Sequence, residues 1–349
     1  LVSFVAKAKK LTKGQARQIK ANQSKKLRKS TEKVQWQDDE LAAAENGIVI
    51  SRFGQHADVE SSSGEIFRCN LRRSISSLVC GDKVLWRKGK ETQHSISGVI
   101  EAVHERDSVL SRPDVYDGVK PIAANISQIL IVSSVLPAFN ADIIDRYLVA
   151  AEQTGITPVI LLNKVDLLDD SNRDEIEKQL NIYRKIGYQV TYVSNETAEG
   201  IAELKLQLSQ HTSIFVGQSG VGKSTLTNTL MPELGVITKI VSENSGLGQH
   251  TTTVARLYHF EQGGDLIDSP GIREFGLWHL SPEQVSSGFI EFDEYLGTCK
   301  FRDCKHQSDP GCALVAAKEA GKIYPERLAS FQKILASLGD NTLTSRFND

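Results

Sequence analysis

The stretch GQSGVGKST at residues 217–225 satisfies the pattern G-x-x-x-x-G-K-[ST] and decides the fold of the central part of the chain. The apolar run SIFVG at 213–217 is typical of a buried strand, and STLTNTL at 224–230 is typical of a helix. In a strand–loop–helix arrangement, the loop N–H groups and the positive end of the helix face bound phosphate oxygens. The sequence therefore predicts a nucleotide phosphate site.

Residues of this loop have distinct predicted roles. Lys223 would reach the β- and γ-phosphates, and Ser224 would ligate Mg²⁺ through its hydroxyl. We predict nucleotide contacts from Gly217, Ser219, Gly220, Val221, Gly222, Lys223, Ser224 and Thr225. The pattern alone does not distinguish ATP from GTP.

That distinction depends on Asn163-Lys164-Val165-Asp166, at the end of another predicted strand. In an N-K-x-D motif the carboxylate of Asp166 accepts hydrogen bonds from the ring N1–H and the exocyclic amine of guanine, donors that adenine does not present together. Asn163 would tie this loop to the phosphate loop, and the stem of Lys164 would lie over the base. Ser194 would add backbone contacts near the guanine carbonyl. These residues predict a guanine nucleotide.

Two further motifs surround the γ-phosphate in the prediction. In Asp268-Ser-Pro-Gly271, Asp268 would hold Mg²⁺ through water, and the Gly271 N–H would sense the γ-phosphate. The stretch GLGQHTTT at 246–253 offers three threonines that could close over Mg²⁺, and we favour Thr252. The alternatives are Thr251 and Thr253.

The order of these motifs is unusual. A Ras-like domain runs from the phosphate loop through the switch threonine and D-x-x-G to N-K-x-D, whereas here N-K-x-D and Ser194 come first and D-x-x-G comes last. The cyclic order of the motifs is the same, but the domain starts at a different motif, which predicts a circularly permuted GTPase. Because D-x-x-G leads directly into residues 281–349, we also hypothesise that this C-terminal part is the lever of the switch.

The residue after the D-x-x-G motif bears on catalysis. Ras-like enzymes place a glutamine there to orient the attacking water, but Ile272 can neither donate nor accept a hydrogen bond. We therefore expect slow intrinsic hydrolysis, with His250 as the candidate that takes over and a surface loop histidine as the alternative. Thr252 and Gly271 complete the predicted catalytic group.

A metal site is predicted near the C-terminus. Cys299, Cys304, His306 and Cys312 supply three thiolates and one imidazole, which suit a closed tetrahedral structural Zn²⁺ site. The polar sequence around them cannot form a core, so the metal would provide folding free energy. Thiols buried without metal are the alternative.

The N-terminal part of the chain has a different sequence pattern, typical of short β-strands. Short β-type runs predict a small barrel, with an OB-fold favoured, at 47–51, 56–60, 65–69, 83–87 and 97–103. The basic and aromatic side chains of this region would bind RNA, or the aromatic ones would instead pack in the core, and both interpretations stay open. These side chains are Arg68, Arg72, Arg73, Arg87, Phe53, Phe67 and Trp86.

The remaining pattern is α/β. Apolar runs predict buried parallel strands at 128–134, 158–163 and 213–217, alternating with helices at 141–154, 172–187 and 200–209. A helix is also predicted over 281–297, with Ser281 as its N-cap.

Charge is distributed unevenly along the chain. Residues 1–33 hold eleven Lys or Arg and one acid, Glu32, so they carry +10 against −12 for the remainder, within a net charge of −2. Such an arm suggests a polyanionic partner, with a solvated disordered tail as the alternative. No apolar run approaches the ~20 residues of a membrane span, and we expect a soluble, cytoplasmic protein.

Taken together, these features predict four parts. They are a basic disordered arm (1–34), an RNA-binding OB-fold barrel (35–113), a circularly permuted α/β P-loop GTPase domain (114–280) and a helical zinc-binding domain (281–349). This combination resembles the bacterial ribosome small-subunit-dependent GTPase A family (RsgA, also called YjeQ) over nearly the full length. The resemblance rests most specifically on GQSGVGKST (217–225), GQHTTT (248–253), DSPG (268–271), NKVD (163–166) and the cysteine cluster.

The resemblance implies a GTPase that is stimulated by the small (30S) ribosomal subunit and acts in its late maturation. The barrel and the zinc domain would contact rRNA, and His250 would occupy the position that the family associates with hydrolysis. We expect a monomer. The alternatives are a GTP-gated RNA-binding module with little turnover, a P-loop ATPase or small-molecule kinase, and a GTPase that works at a membrane.

Overall fold

The computed structural model describes residues 40–93, 96–114, 118–232, 255–268, 280–307 and 309–344. The predicted basic arm lies outside these residues. None of the helices in the described part of the chain has both the length and the hydropathy that a bilayer crossing requires.

A closed barrel forms the N-terminal part. Its strands are β1 (Leu41–Phe53), β2 (His56–Ser61), β3 (Ile66–Leu71), β4 (Lys83–Gln93) and β5 (Ile96–Val103). The pairing order β1-β2-β3-β5-β4 closes through an additional β1–β4 pairing, and β3 and β5 are parallel. Closure leaves every strand paired on both sides, and this OB-like barrel confirms the predicted fold of the region.

A two-stranded hairpin follows the barrel. It consists of β6 (Val109–Asp114) and β7 (Gly118–Ala124) and was not predicted. The predicted domain boundary between residues 113 and 114 lies within it. Asn125, which follows the hairpin, donates from its side chain to the Gly81 carbonyl at 2.8 Å, which ties the end of the hairpin to the barrel.

The central domain is a six-stranded sheet in the order β10-β9-β8-β11-β13-β12. The strands are β8 (Gln128–Ser134), β9 (Thr157–Asn163), β10 (Gln189–Val193), β11 (Thr212–Val216), β12 (Arg256–His259) and β13 (Asp265–Asp268). All neighbours are parallel except β12 and β13, which form an antiparallel hairpin. The carboxyl ends of the parallel strands therefore meet at one edge, where α/β sheets bind ligands.

Helices connect these strands as the apolar periodicity predicts. They are α1 (Ala141–Thr154), α2 (Arg173–Ile186), α3 (Ile201–Leu208) and α4 (Lys223–Leu230). The side chain of Asn140 caps the N-terminus of α1 by accepting from the Ile143 N–H at 3.3 Å.

The C-terminal part contains α5 (Pro282–Ser287), α6 (Ala313–Glu319) and α7 (Pro325–Thr344). Ser281 and Gln284 form the capping box that starts α5, as the predicted N-cap requires. The prediction of a single helix over 281–297 is wrong, because α5 ends before Gly288 and only a short 3₁₀ turn, Ile290–Phe292, follows. At Gly288 the chain passes so close to α1 that a Cβ would meet Val149 Cγ1 at 2.7 Å.

Candidate functional site

The phosphate loop joins β11 to α4, as predicted. Gly217 has φ +140°, and a Cβ there would meet the Val132 carbonyl oxygen at 2.2 Å, so only glycine fits this turn. The Lys223 ammonium donates to the Gly217 and Gln218 carbonyls at 2.7 and 2.5 Å. The loop thus folds back around its own lysine, the side chain expected to reach the β- and γ-phosphates.

A hydrogen bond joins the N-K-x-D loop to the phosphate loop. The Asn163 side chain is fully buried and donates to the Val221 carbonyl at 2.9 Å, the tie that its motif position predicts. A Cβ on Gly222 would lie 2.3 Å from Asn163 Nδ2, so glycine is required for this contact. The two motifs are therefore packed against each other before α4 begins.

Lys164 also links the N-K-x-D loop to the phosphate loop. Its backbone is left-handed, with φ 61° and ψ 40°, and its ammonium donates to the Leu136 carbonyl at 2.6 Å and the Gly220 carbonyl at 2.8 Å. The long side chain therefore extends from the base-reading motif to the phosphate loop. That position fits the predicted role of its stem beside the base.

Asp166 is held by Ser194. The Ser194 hydroxyl donates to the Asp166 carboxylate and accepts the N–H groups of Glu196 and Thr197, each at 3.2 Å. Ser194 is fully buried, whereas Asp166 is exposed. We expected only backbone contacts from Ser194, but its side chain fixes the orientation of the carboxylate that is predicted to read guanine.

Other groups that support the phosphate loop were missed by sequence reasoning. The Gly217 N–H forms a hydrogen bond to Tyr147 on α1, and burial raises the pKa of that phenol. Pro137, in the loop after β8, lies 3.7 Å from the position of a Gly220 Cβ. No local sequence pattern marks either residue as part of the site. Tyr147, for example, is indistinguishable in sequence from the other apolar positions of an amphipathic helix.

The structure describes some of the remaining predicted site residues and not others. Ser224 and Thr225 lie in the first turn of α4, and Asp268 ends β13, the strand next to β11. His250, Thr252 and Gly271 lie outside the described residues, as do Thr251, Thr253 and Ile272. Their roles stay predictions.

The predicted metal ligands come together. The Nδ1 atom of His306 lies 3.5 Å from Cys299 Sγ, 3.6 Å from Cys304 Sγ and 3.5 Å from Cys312 Sγ. All four ligand atoms lie within 4.8 Å of one another. Tetrahedral Zn²⁺ with ordinary Zn–S and Zn–N bonds separates sulfur from nitrogen by about 3.6 Å. The cluster therefore fits one structural zinc ion, as predicted.

Backbone and side-chain contacts hold these ligands in place. The Ala313 N–H donates to Cys299 Sγ at 3.3 Å, and the Gln332 side chain donates to the His306 carbonyl at 2.9 Å. Cys312 is buried and begins α6 as its N-cap residue. The zinc loop is thus attached to both α6 and α7.

The barrel resolves part of the open question on its aromatic and basic residues. Trp86 is fully buried in the barrel core, and the half-buried Phe67 packs against it with 5.0 Å between ring centroids. Phe53, in contrast, is exposed and lies under the guanidinium of Arg68 at 5.2 Å. Arg73 is exposed as well.

Hydrogen bonds within the barrel engage Arg72 and Arg87. Arg72 forms two hydrogen bonds of 2.9 Å with Glu101, and Arg87 donates to the Ala42 carbonyl at 2.7 Å. Arg72 and Arg87 are also half-buried, whereas Arg68 and Arg73 are exposed. The candidate nucleic-acid surface therefore reduces to the neighbourhood of Phe53, Arg68 and Arg73.

The chain is similar to known proteins in both sequence and structure. A family model described as RsgA GTPase matches residues 103–278. The "Small ribosomal subunit biogenesis GTPase RsgA" of Pectobacterium atrosepticum is 57% identical over 343 residues and covers 98% of each chain. The protein of the same name from Dickeya dadantii is 58% identical over 95% of each chain.

Two solved structures share the fold. YjeQ from Thermotoga maritima has a TM-score of 0.69 and 32% identity and covers 85% of this chain and 99% of its own. YloQ, described as a circularly permuted GTPase, has a TM-score of 0.68 and 26% identity, with 88% and 99% covered. Because the family model matches half of the sequence and the relatives match nearly all of it, the chain belongs to the RsgA GTPase family.

Proposed function

We propose that this protein hydrolyses GTP during late maturation of the small ribosomal subunit and that contact with the subunit stimulates hydrolysis. The observation that carries the proposal is the joining of a base-reading motif to a phosphate loop through Asn163 and Val221. The names of the relatives supply the process, since they are small ribosomal subunit biogenesis GTPases.

Guanine selection would depend on Asp166. Its carboxylate is exposed on one side and oriented by the Ser194 hydroxyl on the other, which leaves acceptor capacity for the N1–H and amine of guanine. Lys223, Ser224 and the loop N–H groups would bind the phosphates, and Ser224, Thr252 and Asp268 would hold Mg²⁺ directly or through water. Mg²⁺ would neutralise charge that develops on the phosphates.

His250 is the proposed catalytic residue. Since Ile272 cannot orient water, turnover without a partner would be slow. In this proposal the ribosomal subunit brings the switch segments into their hydrolysing arrangement. His250→Ala should leave GTP affinity unchanged and lower stimulated turnover, and unchanged turnover would remove His250 from the mechanism.

RNA contacts would come from the barrel, the zinc domain and the basic arm. Support comes from the exposed Phe53–Arg68 pair, because a cation beside an aromatic ring suits phosphate contact and base stacking. A cytoplasmic monomer is the simplest form in which such a factor would visit the ribosome.

The direct test is phosphate release from GTP and from ATP, each with and without purified small ribosomal subunits. We expect stimulation only for GTP with the subunit. Slow GTP turnover that the subunit leaves unchanged would contradict the proposed activation. Binding to the subunit without stimulated turnover would favour the alternative, a GTP-gated RNA-binding module.

A further inference from the structure

The hairpin β12–β13 connects two motifs that surround the γ-phosphate in the predicted site. In sequence, β12 begins shortly after the switch threonines, and β13 ends at Asp268, the first residue of D-x-x-G. In the hairpin Arg256 lies opposite Asp268. Both switch segments therefore join the hairpin at the same end, and any displacement of the hairpin moves both attachment points together.

The barrel contacts this end of the hairpin. Ser51 of β1 pairs with Arg256, which joins the barrel to the central sheet. The Ser51 hydroxyl also donates to Asp58 at 3.4 Å, and Asp58 in turn accepts from Arg68 at 2.9 Å. The residue that pairs with the hairpin is thus linked, through Asp58, to the exposed arginine of the candidate RNA surface.

A second contact lies at the other end of the hairpin. His259 on β12 bonds to Glu60 on β2 at 2.7 Å and to Asp265 on β13 at 2.6 Å. The imidazole therefore joins the barrel to both strands of the hairpin. Two carboxylates face it, and they favour its cationic form, so the contact carries charge on both sides.

We propose that Glu60 and His259 are positioning residues for hydrolysis, which fix the β12–β13 hairpin on the barrel and so transmit partner binding at the barrel to Asp268. Glu60 touches neither the nucleotide loops nor the metal cluster among the described contacts. Its effect on turnover would therefore run through the hairpin. The inference rests on the proposed function for the identity of the stimulating partner.

Hydrogen exchange of the full-length protein without ribosomes tests the structural half of the proposal. Glu60→Gln should raise the exchange rate of the backbone amides in residues 255–268. Asp107→Asn is the matched control, because it removes a 2.8 Å ion pair with Lys83 that lies wholly within the barrel region. Equal exchange of the hairpin in wild type and Glu60→Gln would overturn the proposed attachment of the hairpin to the barrel through Glu60 and His259, whatever the partner proves to be.

Kinetics with small ribosomal subunits test the functional half. Glu60→Gln should lower the stimulated kcat by between about 2-fold and 30-fold, with the KM for GTP unchanged. The double variant with His259→Asn should be no slower than His259→Asn alone, because both changes remove one contact. A stimulated kcat equal to that of Asp107→Asn would overturn the proposal. If the subunit fails to stimulate the wild-type protein, the proposed function is refuted instead. The exchange experiment still decides whether Glu60 and His259 attach the hairpin to the barrel.

Discussion

Two ionic clusters attach the outer domains to the GTPase domain, and they differ in burial. On the C-terminal side Arg327 is 2% exposed and pairs with Asp145 on α1 and with Glu291, at 2.6 Å to the latter. On the barrel side the His259 side chain is 46% exposed, with Glu60 at 19% and Asp265 at 25%. One cluster is sealed from water and the other is not.

The surroundings of the two clusters reinforce this difference. Arg327 lies 4.4 Å over the Phe289 ring, and Tyr183 donates to Asp145 at 2.7 Å. Phe289, Phe292 and Phe331 pack against one another with centroids 4.9 to 5.5 Å apart. Breaking such a cluster leaves a charge stranded in an apolar core, whereas a half-exposed pair regains water when it opens.

The difference in burial between the two ionic clusters indicates which outer domain moves more easily against the GTPase domain. We hypothesised that the C-terminal part is the lever of the switch, because the chain runs into it after D-x-x-G. The structure anchors that part on α1 through Arg327 and the aromatic cluster, so a lever motion would have to open a buried ion cluster. The barrel contact costs less to open and is better suited to regulation.

The largest effect is expected from Arg327→Met. Removing the guanidinium strands Asp145 and Glu291, and we expect the free energy of unfolding to fall by about 3–5 kcal/mol. Urea denaturation measures the loss. Lys333→Met is the control, because Lys333 joins the same helix α7 to Asp142 on α1 through an exposed pair of 2.9 Å. Equal losses for the two variants would show that burial does not distinguish the interfaces.

A smaller loss is expected from Gly288→Val. The backbone at Gly288 has φ −80°, which any residue adopts, so the effect comes from the side chain meeting Val149. Overpacking of this kind costs about 1–3 kcal/mol, which thermal unfolding detects. Valine at the neighbouring exposed Ser287 is the control and should cost less. No loss at Gly288 would mean that α5 shifts freely against α1.

The barrel contact should show a pH dependence of small size. The side-chain hydrogen bond with Asp265, then the contact with Glu60, raise the pKa of His259 to about 9. Because the folded pKa lies above the unfolded value of about 6.5, the stabilisation is complete below pH ~6.5 and is lost as the pH rises through about 9. Partial exposure limits it to about 0.2–1 kcal/mol.

The measurement is the difference in unfolding free energy between wild type and His259→Asn from pH 6 to pH 10. The difference should shrink with rising pH. A difference that stays constant or grows over that range would contradict an ionised contact of His259 with Glu60 and Asp265.

The smallest effect on stability is expected from Arg68→Gln at the barrel surface. The Arg68 side chain is 49% exposed, so its ion pair with Asp58 contributes little to folding. In RNA binding, however, loss of one phosphate contact should reduce the slope of log affinity against log salt by about 0.7 to 0.9. Lys185→Gln on α2 is the control, and an equal slope for both variants would remove Arg68 from the RNA surface.

Much of this fold follows from local sequence patterns. The apolar runs before residues 163 and 217 predicted β9 and β11, and the order of the motifs predicted the permuted GTPase fold. The motifs together with the basic arm, the predicted barrel and the cysteine cluster predicted the family. The fold and the family are confirmed. The zinc cluster followed from the spacing of four residues. In each case the ligand-binding residues are close in sequence or end a recognisable strand.

The features that the sequence did not predict depend on contacts between distant segments of the chain. Hairpin strands β6 and β7 each contain a proline, Pro113 and Pro121, which weakens the strand pattern. In the sequence, Arg327 is indistinguishable from an ordinary arginine on a helix surface, and only the tertiary packing shows that it is buried. Ser194 was predicted to contact the base through its backbone, and its hydroxyl contact with Asp166 was missed because it depends on the approach of two separate loops.

The most direct test of the account is the nucleotide preference of Asp166→Asn, measured as stimulated hydrolysis of GTP and of xanthosine triphosphate. Asparagine can still accept from the Ser194 hydroxyl, so the loop should stay in place while the donor pattern of the base reader changes. We predict that the variant loses GTP turnover and gains turnover of xanthosine triphosphate. Unchanged preference for GTP would contradict the claim that Asp166 reads the base.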